Sequence, residues 1–543
     1  MLNAMKNLFL FPVFAVLLML TFLGIYINAE TYAAVGPFHD SMSYSNQLAL
    51  IFNSTQQDGF YGFFNGAALG TNVFFPYLTG VPLYSILGPS RILYIFSNVI
   101  IFSILLVVYS RYLSIVSSKK GLGQFIFLLS IVGFSGVYSS NGGVSDFRMD
   151  LPFALLYGAF VIQFQIARFS ETHRGEWIGL GVIAACASLN RATAPVFILI
   201  FSLPIFVLDM RFHRCSLKYY VLAFSVVMAL SGWYYFFNFK YLYFYYVSWN
   251  TDAHANLPIS EAIKHIGFFV NHVGGWLLPF LLGAISIVHA YRRSFWTLLL
   301  RDTHRAIFLW GFTSPILYLI ISGSGLNPYI TLIAVVPFIC FTNCSILLPN
   351  IPHVRYKLAC FLMGLGLFIT MVMNMGNQDS KYPQWIPSAN SVKELTSLLV
   401  LNGENRRNYC IAFPFQGSVG PDSVINSAIY DFKLTYNGNR EVISNGSHIT
   451  FKNTAPDSEV LWRALPGVND SEKIDSIISD ASTCDYVVLA APSSKLPLMD
   501  HLKINKYIDV IYNGFASNPN FITASANIHV TSDQDVVIFK RKE

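Results

Sequence analysis

Five ionisable residues beside long apolar runs are the first candidates for chemistry in this 543-residue sequence: Asp40, Asp146, Arg148, Asp150 and Arg191. Ionisable groups at membrane depth cost free energy, so those that occur there are functional candidates by default. A carboxylate can take a proton from an attacking hydroxyl, and an arginine can bind a departing phosphate through two N–H groups. The mixture therefore suits transfer of a group from an anionic leaving group carried on a water-insoluble donor.

Each of these residues also has a structural interpretation, which the sequence leaves open. Asp40 precedes a run of small polar residues and could cap a helix. Asp146, Arg148 and Asp150 could form local ion pairs at the start of a helix, where the dipole favours acidic groups. Arg191 could extend to lipid headgroups. The residue types alone do not decide between these roles.

The elements that must position these residues are membrane spans. Hydrophobic residues make up 54% of the chain and charged residues only 12%, about half the charged fraction of a soluble globular domain, which excludes a soluble single-domain enzyme. A span needs roughly 20 predominantly apolar residues. About eleven stretches qualify, near 8–28, 92–110, 122–139, 151–167, 176–190, 194–209, 219–238, 267–289, 306–322, 329–348 and 358–376.

The charge distribution predicts how these spans are oriented. Residues 1–376 carry 20 basic and 11 acidic side chains, and most of the basic ones fall in alternate loops, as in the cytoplasmic loops of membrane proteins. We therefore attribute the net charge of +6 to topology and not to a nucleic-acid site. This pattern places the N-terminus in the cytoplasm and everything after residue 376 outside, and the bacterial inner membrane is the expected location.

Three external segments differ from ordinary loops. Residues 29–90 form a long first loop. Its apolar piece at 72–88 is interrupted by proline, which indicates an interfacial or re-entrant segment. Residues 139–150 are rich in Ser and Gly and contain the second acidic cluster. Residues 239–266 include an aromatic tract with Tyr245 and Trp249, which is typical of an interfacial belt or of a platform for sugar or lipid.

Residues 377–543 have the composition of a water-soluble fold. Strand-like runs at 409–413, 486–490, 507–512 and 536–540 alternate with helical patterns at 391–401, 422–432 and 473–481. We therefore predict two domains, a transmembrane domain over 1–376 that includes the loop 29–90, and an extracytoplasmic α/β domain over 377–543. Cys410 and Cys484 lie in that second domain, but sequence alone does not establish whether they pair.

The combination of features resembles the GT-C superfamily of membrane glycosyltransferases, in particular the polyprenyl-phosphate-sugar-dependent relatives of protein O-mannosyltransferases and aminoarabinose transferases. The resemblance covers roughly residues 8–376 at the level of layout, and its local carriers are Phe38-His39-Asp40, the run from Phe74 to Tyr84 and Asp146-Phe147-Arg148-Met149-Asp150. It implies a polytopic α-helical fold of about eleven transmembrane helices.

The resemblance also implies roles for residues. Asp40 matches the first-loop acidic residue that activates or positions the acceptor, and Asp146 and Asp150 match the second acidic position, so these three are the catalytic candidates. The substrate-binding candidates are His39, Arg148, Arg191, Tyr245 and Trp249. Many relatives have an acidic pair where this chain has His39-Asp40. The metal site is therefore unknown, no cofactor is assigned, and a divalent cation stays open.

The function expected from this layout is transfer of a sugar from a polyprenyl phosphate to an extracytoplasmic acceptor, with inversion at the anomeric carbon. The acceptor would be a surface glycan such as lipopolysaccharide O-antigen, a lipid or a protein, and no nucleic-acid partner is expected. Three alternatives stay open: a flippase or transporter for lipid-linked saccharides, a polysaccharide polymerase or ligase, and a receptor or scaffold domain on a membrane anchor. The absence of repeated halves argues mildly against a transporter.

Overall fold

The computed structural model describes fourteen stretches of the chain in detail. They are residues 40–68, 74–116, 149–169, 173–212, 215–243, 303–321, 328–347, 389–401, 407–411, 421–444, 447–453, 478–492, 505–531 and 534–542, with a few single positions at 124–131 and at 475. The predicted spans 8–28, 267–289 and 358–376, and most of 122–139, lie outside the described residues. Everything below concerns the described stretches.

The described chain forms two compact units. The first comprises residues 1–25, 67–83 and 92–378, and the second comprises residues 26–66, 84–91 and 379–543. The second unit therefore contains two segments of the first loop as well as the C-terminal region. The division into domains at 376/377 stays a prediction, and the loop segments group with the tail because their side chains bond to it, as described below.

The first unit is a bundle of apolar helices. In chain order the helices of the first loop and the bundle are α1 (Asp40–Ala68), α2 (Phe74–Leu87), α3 (Ile92–Val116), α4 (Asp150–Phe169), α5 (Arg174–Asn190), α6 (Ala194–Arg211), α7 (Leu217–Tyr243), α8 (Thr303–Ile321) and α9 (Pro328–Leu347). Four of these, α3, α4, α6 and α7, are long and apolar enough to cross a membrane. Helices at seven of the predicted spans, from 92–110 to 329–348, are thus present among the described residues.

Helix α4 lies at the centre of this bundle. It packs against α3, α5, α8 and α9, and 18 of its 20 residues are buried. Gly158 allows the approach of α9, because a Cβ there would lie only 2.2 Å from Cγ1 of Val336. Gly181 does the same between α5 and α7, where a Cβ would lie 2.7 Å from the carbonyl oxygen of Ala223. Aromatic rings fill the remaining space, as in the edge-on contact of Phe164 with Phe201 at 5.3 Å.

The first-loop helices have different characters. Helix α1 continues through the aromatic, Gly-rich tract, with a kink at Gly59, whose φ of 61° suits glycine. Helix α2 contains Pro82 and has 14 residues, too few to span a membrane, as the interfacial prediction requires. Its start contacts α7 through the Phe74 and Trp233 rings, 5.2 Å apart.

The C-terminal part of the second unit is built on a seven-stranded mixed sheet. The strands are β1 (Arg407–Ile411), β2 (Thr435–Gly438), β3 (Glu441–Ser444), β4 (Ser447–Asn453), β5 (Tyr486–Ala490), β6 (Phe521–Thr531) and β7 (Gln534–Arg541), in the spatial order β2-β3-β4-β1-β5-β7-β6. The central strand β1 is parallel to both β4 and β5, and the other pairs are antiparallel. Its helices are α10 (Ala389–Leu401), α11 (Pro421–Tyr430) and α12 (Asn505–Ala516).

Three local features fix this sheet. Tyr409 on β1 stacks between Phe451 and Tyr486 of the neighbouring strands, with ring centroids 5.6 Å and 4.9 Å away. Cys410 and Cys484 form a disulfide, with 5.8 Å between their Cα atoms. The β2–β3 hairpin turns through Asn439 and Arg440, both with positive φ, as a tight two-residue turn requires.

One predicted strand is wrong. The run 507–512 is short and rich in β-branched and aromatic residues, yet it lies within α12, Asn505–Ala516. Ile511 and Phe515, four residues apart, are buried while Val510 is exposed. The helical period of 3.6 becomes evident only in a window longer than the six residues that suggested a strand. The predicted strands at 486–490 and 536–540 and the helix at 391–401 are confirmed, as are the strand at 409–413 up to Ile411 and the helix at 422–432 up to Tyr430. Of the predicted helix at 473–481, the described residues 475 and 478–481 are helical.

Candidate functional site

The candidate site in the first unit lies where the start of α4 meets the end of α5. These two helices are consecutive, antiparallel and joined by a short connection, so the first residue of one lies beside the last residue of the other. Asp150 is the first residue of α4. Arg191 follows α5 directly, and α6 begins at Ala194 after only three connecting residues.

An ion pair joins the two helix ends. Nη1 of Arg191 donates to Oδ1 of Asp150, and Nε of Arg191 donates to Oγ1 of Thr193 at 3.2 Å. The side chain of Asp150 is 4% exposed and that of Arg191 is 17% exposed. The guanidinium carbon also lies 5.9 Å from the ring centroid of Phe153. The arginine is thus held in place by three neighbours while part of it stays accessible.

A residue that the sequence interpretation did not single out supports this pair. Asn190 is fully buried and its Nδ2 donates to the carbonyl oxygen of Met149 at 2.9 Å. Two consecutive residues at the end of α5 therefore hold two consecutive residues at the start of α4, since Asn190 binds Met149 and Arg191 binds Asp150. The Oδ1 atom of Asn190 is buried and has no hydrogen-bond partner among the described residues. An uncharged amide gives no signal in a search for ionisable residues.

The chemistry available here is recognition of an anion. A guanidinium has five N–H donors, and the contacts to Asp150 and Thr193 use one each. The remaining N–H groups of Arg191 have no partner among the described residues and can bind phosphate oxygens. The nearly buried carboxylate of Asp150 keeps the guanidinium oriented. Within the described stretches no group of three or more metal-ligating side chains is found, and the metal site stays unknown.

A second polar cluster lies at the opposite end of α4. Arg168 donates from Nε and Nη2 to the two carboxylate oxygens of Asp209 at 2.8 Å and 2.6 Å, and the Tyr220 hydroxyl donates to Oδ2 of Asp209 at 2.7 Å. Nearby, Glu176 pairs with Arg111 and accepts a hydrogen bond from Gln163. These contacts link α3 to α7 by way of α5, α4 and α6; the carboxylates of Glu176 and Asp209 are buried, whereas Arg111 is exposed.

The predicted site residues have different outcomes. Asp150 and Arg191 are brought into direct contact. Asp40 is the first residue of α1, and its side chain lies outside what the structure describes. His39, Asp146, Arg148, Tyr245 and Trp249 also lie outside the described residues. The roles assigned to these residues stay predictions. Of the aromatic tract only the beginning is described, where α7 ends at Tyr243.

Comparison with known proteins extends the description of the fold. No protein-family model matches the sequence, and no curated protein matches it. Among solved structures, the chain is similar to ArnT from Cupriavidus metallidurans in the apo state, with a TM-score of 0.56 and 11% identity over 99% of this chain and 98% of that chain. It is also similar to ArnT from the same organism bound to undecaprenyl phosphate, with a TM-score of 0.55 and 11% identity over 98% of this chain and 97% of that one.

This likeness concerns the fold. It runs over nearly the whole of both chains. The chain is therefore a polytopic membrane protein. The GT-C resemblance predicted from the sequence is confirmed as a resemblance of folds.

Proposed function

We propose that this protein is an integral membrane glycosyltransferase that moves a sugar from a polyprenyl-phosphate donor to an acceptor outside the cytoplasm. The observation that carries the proposal is Arg191, an arginine fixed by Asp150 and Thr193 with N–H groups left for a phosphate, in a chain with the fold of ArnT. The similar structure that contains undecaprenyl phosphate supports a lipid phosphate as the anion. The acceptor is a surface glycan, a lipid or a protein.

The reaction is a single displacement at the anomeric carbon. The acceptor hydroxyl forms the new C–O bond as the bond to the donor phosphate breaks, and this in-line exchange inverts the configuration. Asp40 takes the proton of the hydroxyl, or orients it. The lipid phosphate leaves with its negative charge stabilised by Arg191, together with Arg148. No metal or cofactor is needed to balance this step.

The remaining residues have supporting roles in the proposal. Asp150 orients Arg191 through their ion pair. Asp146 pairs with Arg148 or contacts the acceptor, and His39 contacts the substrate. Tyr245 and Trp249, in the aromatic tract that follows α7, line the path of the lipid or sugar.

The proposed topology has eleven spans, a cytoplasmic N-terminus and the C-terminal α/β region outside. The asymmetry of basic residues between alternate loops supports this orientation. The disulfide between Cys410 and Cys484 supports it independently, because structural disulfides persist in oxidising compartments such as the bacterial periplasm. The inner membrane of a bacterium is the location that fits both.

The decisive experiment is a transfer assay on purified protein in detergent. It uses a panel of radiolabelled polyprenyl-phosphate sugars and a lipid extract of the native host. We expect the wild type to move label to a new acceptor, Asp40→Ala to lose transfer, and Asp58→Ala, an exposed carboxylate on the same helix α1, to retain it. Near-normal transfer by Asp40→Ala would refute its role. Donor binding without consumption would refute the transferase and favour transport or polymerisation.

A further inference from the structure

Helix α11 of the C-terminal region bonds to helix α1 of the first loop through buried polar groups. Ser45 and Asn46, on α1, are almost completely buried, and so is Asn426 on α11. About 380 residues of sequence separate the two helices, yet they belong to the same compact unit. Buried polar groups cost free energy unless they are bonded, so a set that is buried together constrains its geometry strongly.

The carboxamide of Asn426 is the centre of this network. Its Nδ2 donates to Oγ of Ser45 at 2.5 Å and to Oδ1 of Asn46 at 3.1 Å. Its Oδ1 accepts a hydrogen bond from Nη2 of Arg91 at 3.4 Å, and an arginine can only donate, which fixes the orientation of the amide. The Tyr430 hydroxyl, one turn further along α11, donates to the backbone oxygen of Ser45 at 3.0 Å.

An ion pair extends the network to the end of the first loop. Arg91 donates from Nη1 and Nη2 to the two oxygens of Asp431, at 3.1 Å and 3.2 Å. Ser427 Oγ donates to the same carboxylate at 2.7 Å. Both charged side chains are mostly buried, at 9% and 14% exposure. A paired geometry with two parallel hydrogen bonds is directional and holds the segment before α3 firmly.

Further contacts continue along α1 by about two turns. Nδ2 of Asn53 donates to the carbonyl oxygen of Tyr436 at 3.0 Å. The ring of Phe52 lies 4.5 Å from that of Tyr84, which lies 6.4 Å from the ring of Tyr430. Helix α1 is therefore held by the C-terminal region from Ser45 to Asn53, and Ser45 is five residues after Asp40.

We infer that α11 is a positioning element for Asp40, acting through Asn426 on the first turns of α1. This inference rests on the proposed function. The first turn of a helix frays unless it is fixed, and Asp40 lies only about 7.5 Å along the helix axis from Ser45 at 1.5 Å per residue. A displacement of about 1 Å in a reacting group can cost about 100-fold in rate. The C-terminal region thus sets the position of the carboxylate without contacting the substrate.

The variant that tests this is Asn426→Leu, which keeps the branching of the side chain but removes its bonds to α1 and to Arg91. The matched control is Thr396→Val, which removes a buried hydroxyl of the same C-terminal region; among the described residues this hydroxyl bonds within its own helix, to the carbonyl oxygen of Val392. We expect Asn426→Leu to lower kcat by about 10- to 100-fold with the donor KM changed less than about 3-fold. Thr396→Val is expected to change neither.

Two further measurements separate positioning from general damage. Hydrogen exchange of the amides of residues 43–53 should accelerate in Asn426→Leu and not in Thr396→Val. Added to Asp40→Ala, Asn426→Leu should cause no further loss of residual transfer, because it acts through Asp40. Ser45→Ala, a smaller change, serves in place of Asn426→Leu if that variant does not fold, and should shift kcat in the same direction.

The outcomes are distinct. Faster exchange in α1 with kcat within about 2-fold of wild type would overturn the positioning role. Unchanged hydrogen exchange of residues 43–53 in Asn426→Leu would show that the bonds between α11 and α1 do not hold α1 in place. If the wild type transfers no sugar from any donor, the proposed function fails instead, and the exchange measurement still decides whether α11 holds α1.

Discussion

Asp150 and Arg191, 41 residues apart in sequence, form an ion pair between the start of α4 and the end of α5. The pair is largely buried within a bundle whose other described residues are predominantly apolar. Removing one partner of such a pair leaves an uncompensated buried charge, so each side chain constrains the position of the other. Because Arg191 has further N–H groups without a partner among the described residues, it can bind a phosphate while Asp150 fixes its orientation.

Arg191→Ala should weaken binding of a polyprenyl phosphate by about 10- to 100-fold, since hydrogen bonds to charged groups contribute about 1.5–3 kcal/mol. Arg191→Lys should recover only part of this affinity, because an ammonium keeps the charge but not the planar fork. The measurement is lipid affinity of purified protein in detergent. Arg174→Ala, an exposed arginine at the other end of α5, is the control. Equal affinities of the Arg191 and Arg174 variants would exclude a phosphate site at Arg191.

Asn190→Leu should reduce lipid phosphate affinity, although Asn190 carries no charge and has no exposed surface. The change removes the hydrogen bond to the carbonyl oxygen of Met149, which keeps its bond from the backbone N–H of Phe153, and the loss costs about 0.5–1.5 kcal/mol. The start of α4 then shifts relative to Arg191, and the thermal midpoint falls with it. Both quantities can be followed on one purified sample. An unchanged affinity in a destabilised protein would limit Asn190 to a purely structural role.

The sequence predicted the apolar helices and the two partners of this pair, but not the pairing. The apolar periodicity and the cost of a charge at membrane depth can each be judged from a short stretch of sequence. They therefore single out Asp150 and Arg191 one at a time. The contact depends on antiparallel packing of α4 and α5, and Asn190 contributes through an amide that no pattern of charge reveals. Likewise, the grouping of α1 with α11 depends on Asn426 meeting Ser45, a contact between distant parts of the chain. The helix at 507–512 was mistaken for a strand because six residues are too few to distinguish the two periods.

Loss of the Cys410–Cys484 disulfide should destabilise the C-terminal region. The bond closes a loop of 74 residues, and removing a structural disulfide costs about 2–4 kcal/mol. Cys410→Ser/Cys484→Ser should therefore be cleaved by protease in the C-terminal region at a lower temperature than wild type, while Cys186→Ala should not. In unreduced protein, Cys410 and Cys484 should not react with a maleimide, and both should react after the disulfide is reduced. Reaction of both before reduction would contradict a periplasmic location.

The Arg168–Asp209 pair should contribute to stability without affecting chemistry. Arg168→Leu leaves the carboxylate of Asp209, 1% exposed, without its positively charged partner, and breaking a buried pair from one side costs about 3–5 kcal/mol. Arg168→Leu/Asp209→Leu should cost less than either single change, because no buried charge is left over. Helix α4 has 20 residues and is about 30 Å long, which separates Arg168 in its last turn from Asp150 at its start. The fraction of protein that stays folded should therefore transfer sugar at the wild-type rate. Thermal unfolding in detergent and the transfer assay give the two quantities, with Arg211→Ala, an exposed neighbour on α6, as the control.

Single variants that match Arg211→Ala in stability would show that the pair does not hold α4 and α6 together. A lower rate in the folded fraction would assign this end of α4 to the reaction.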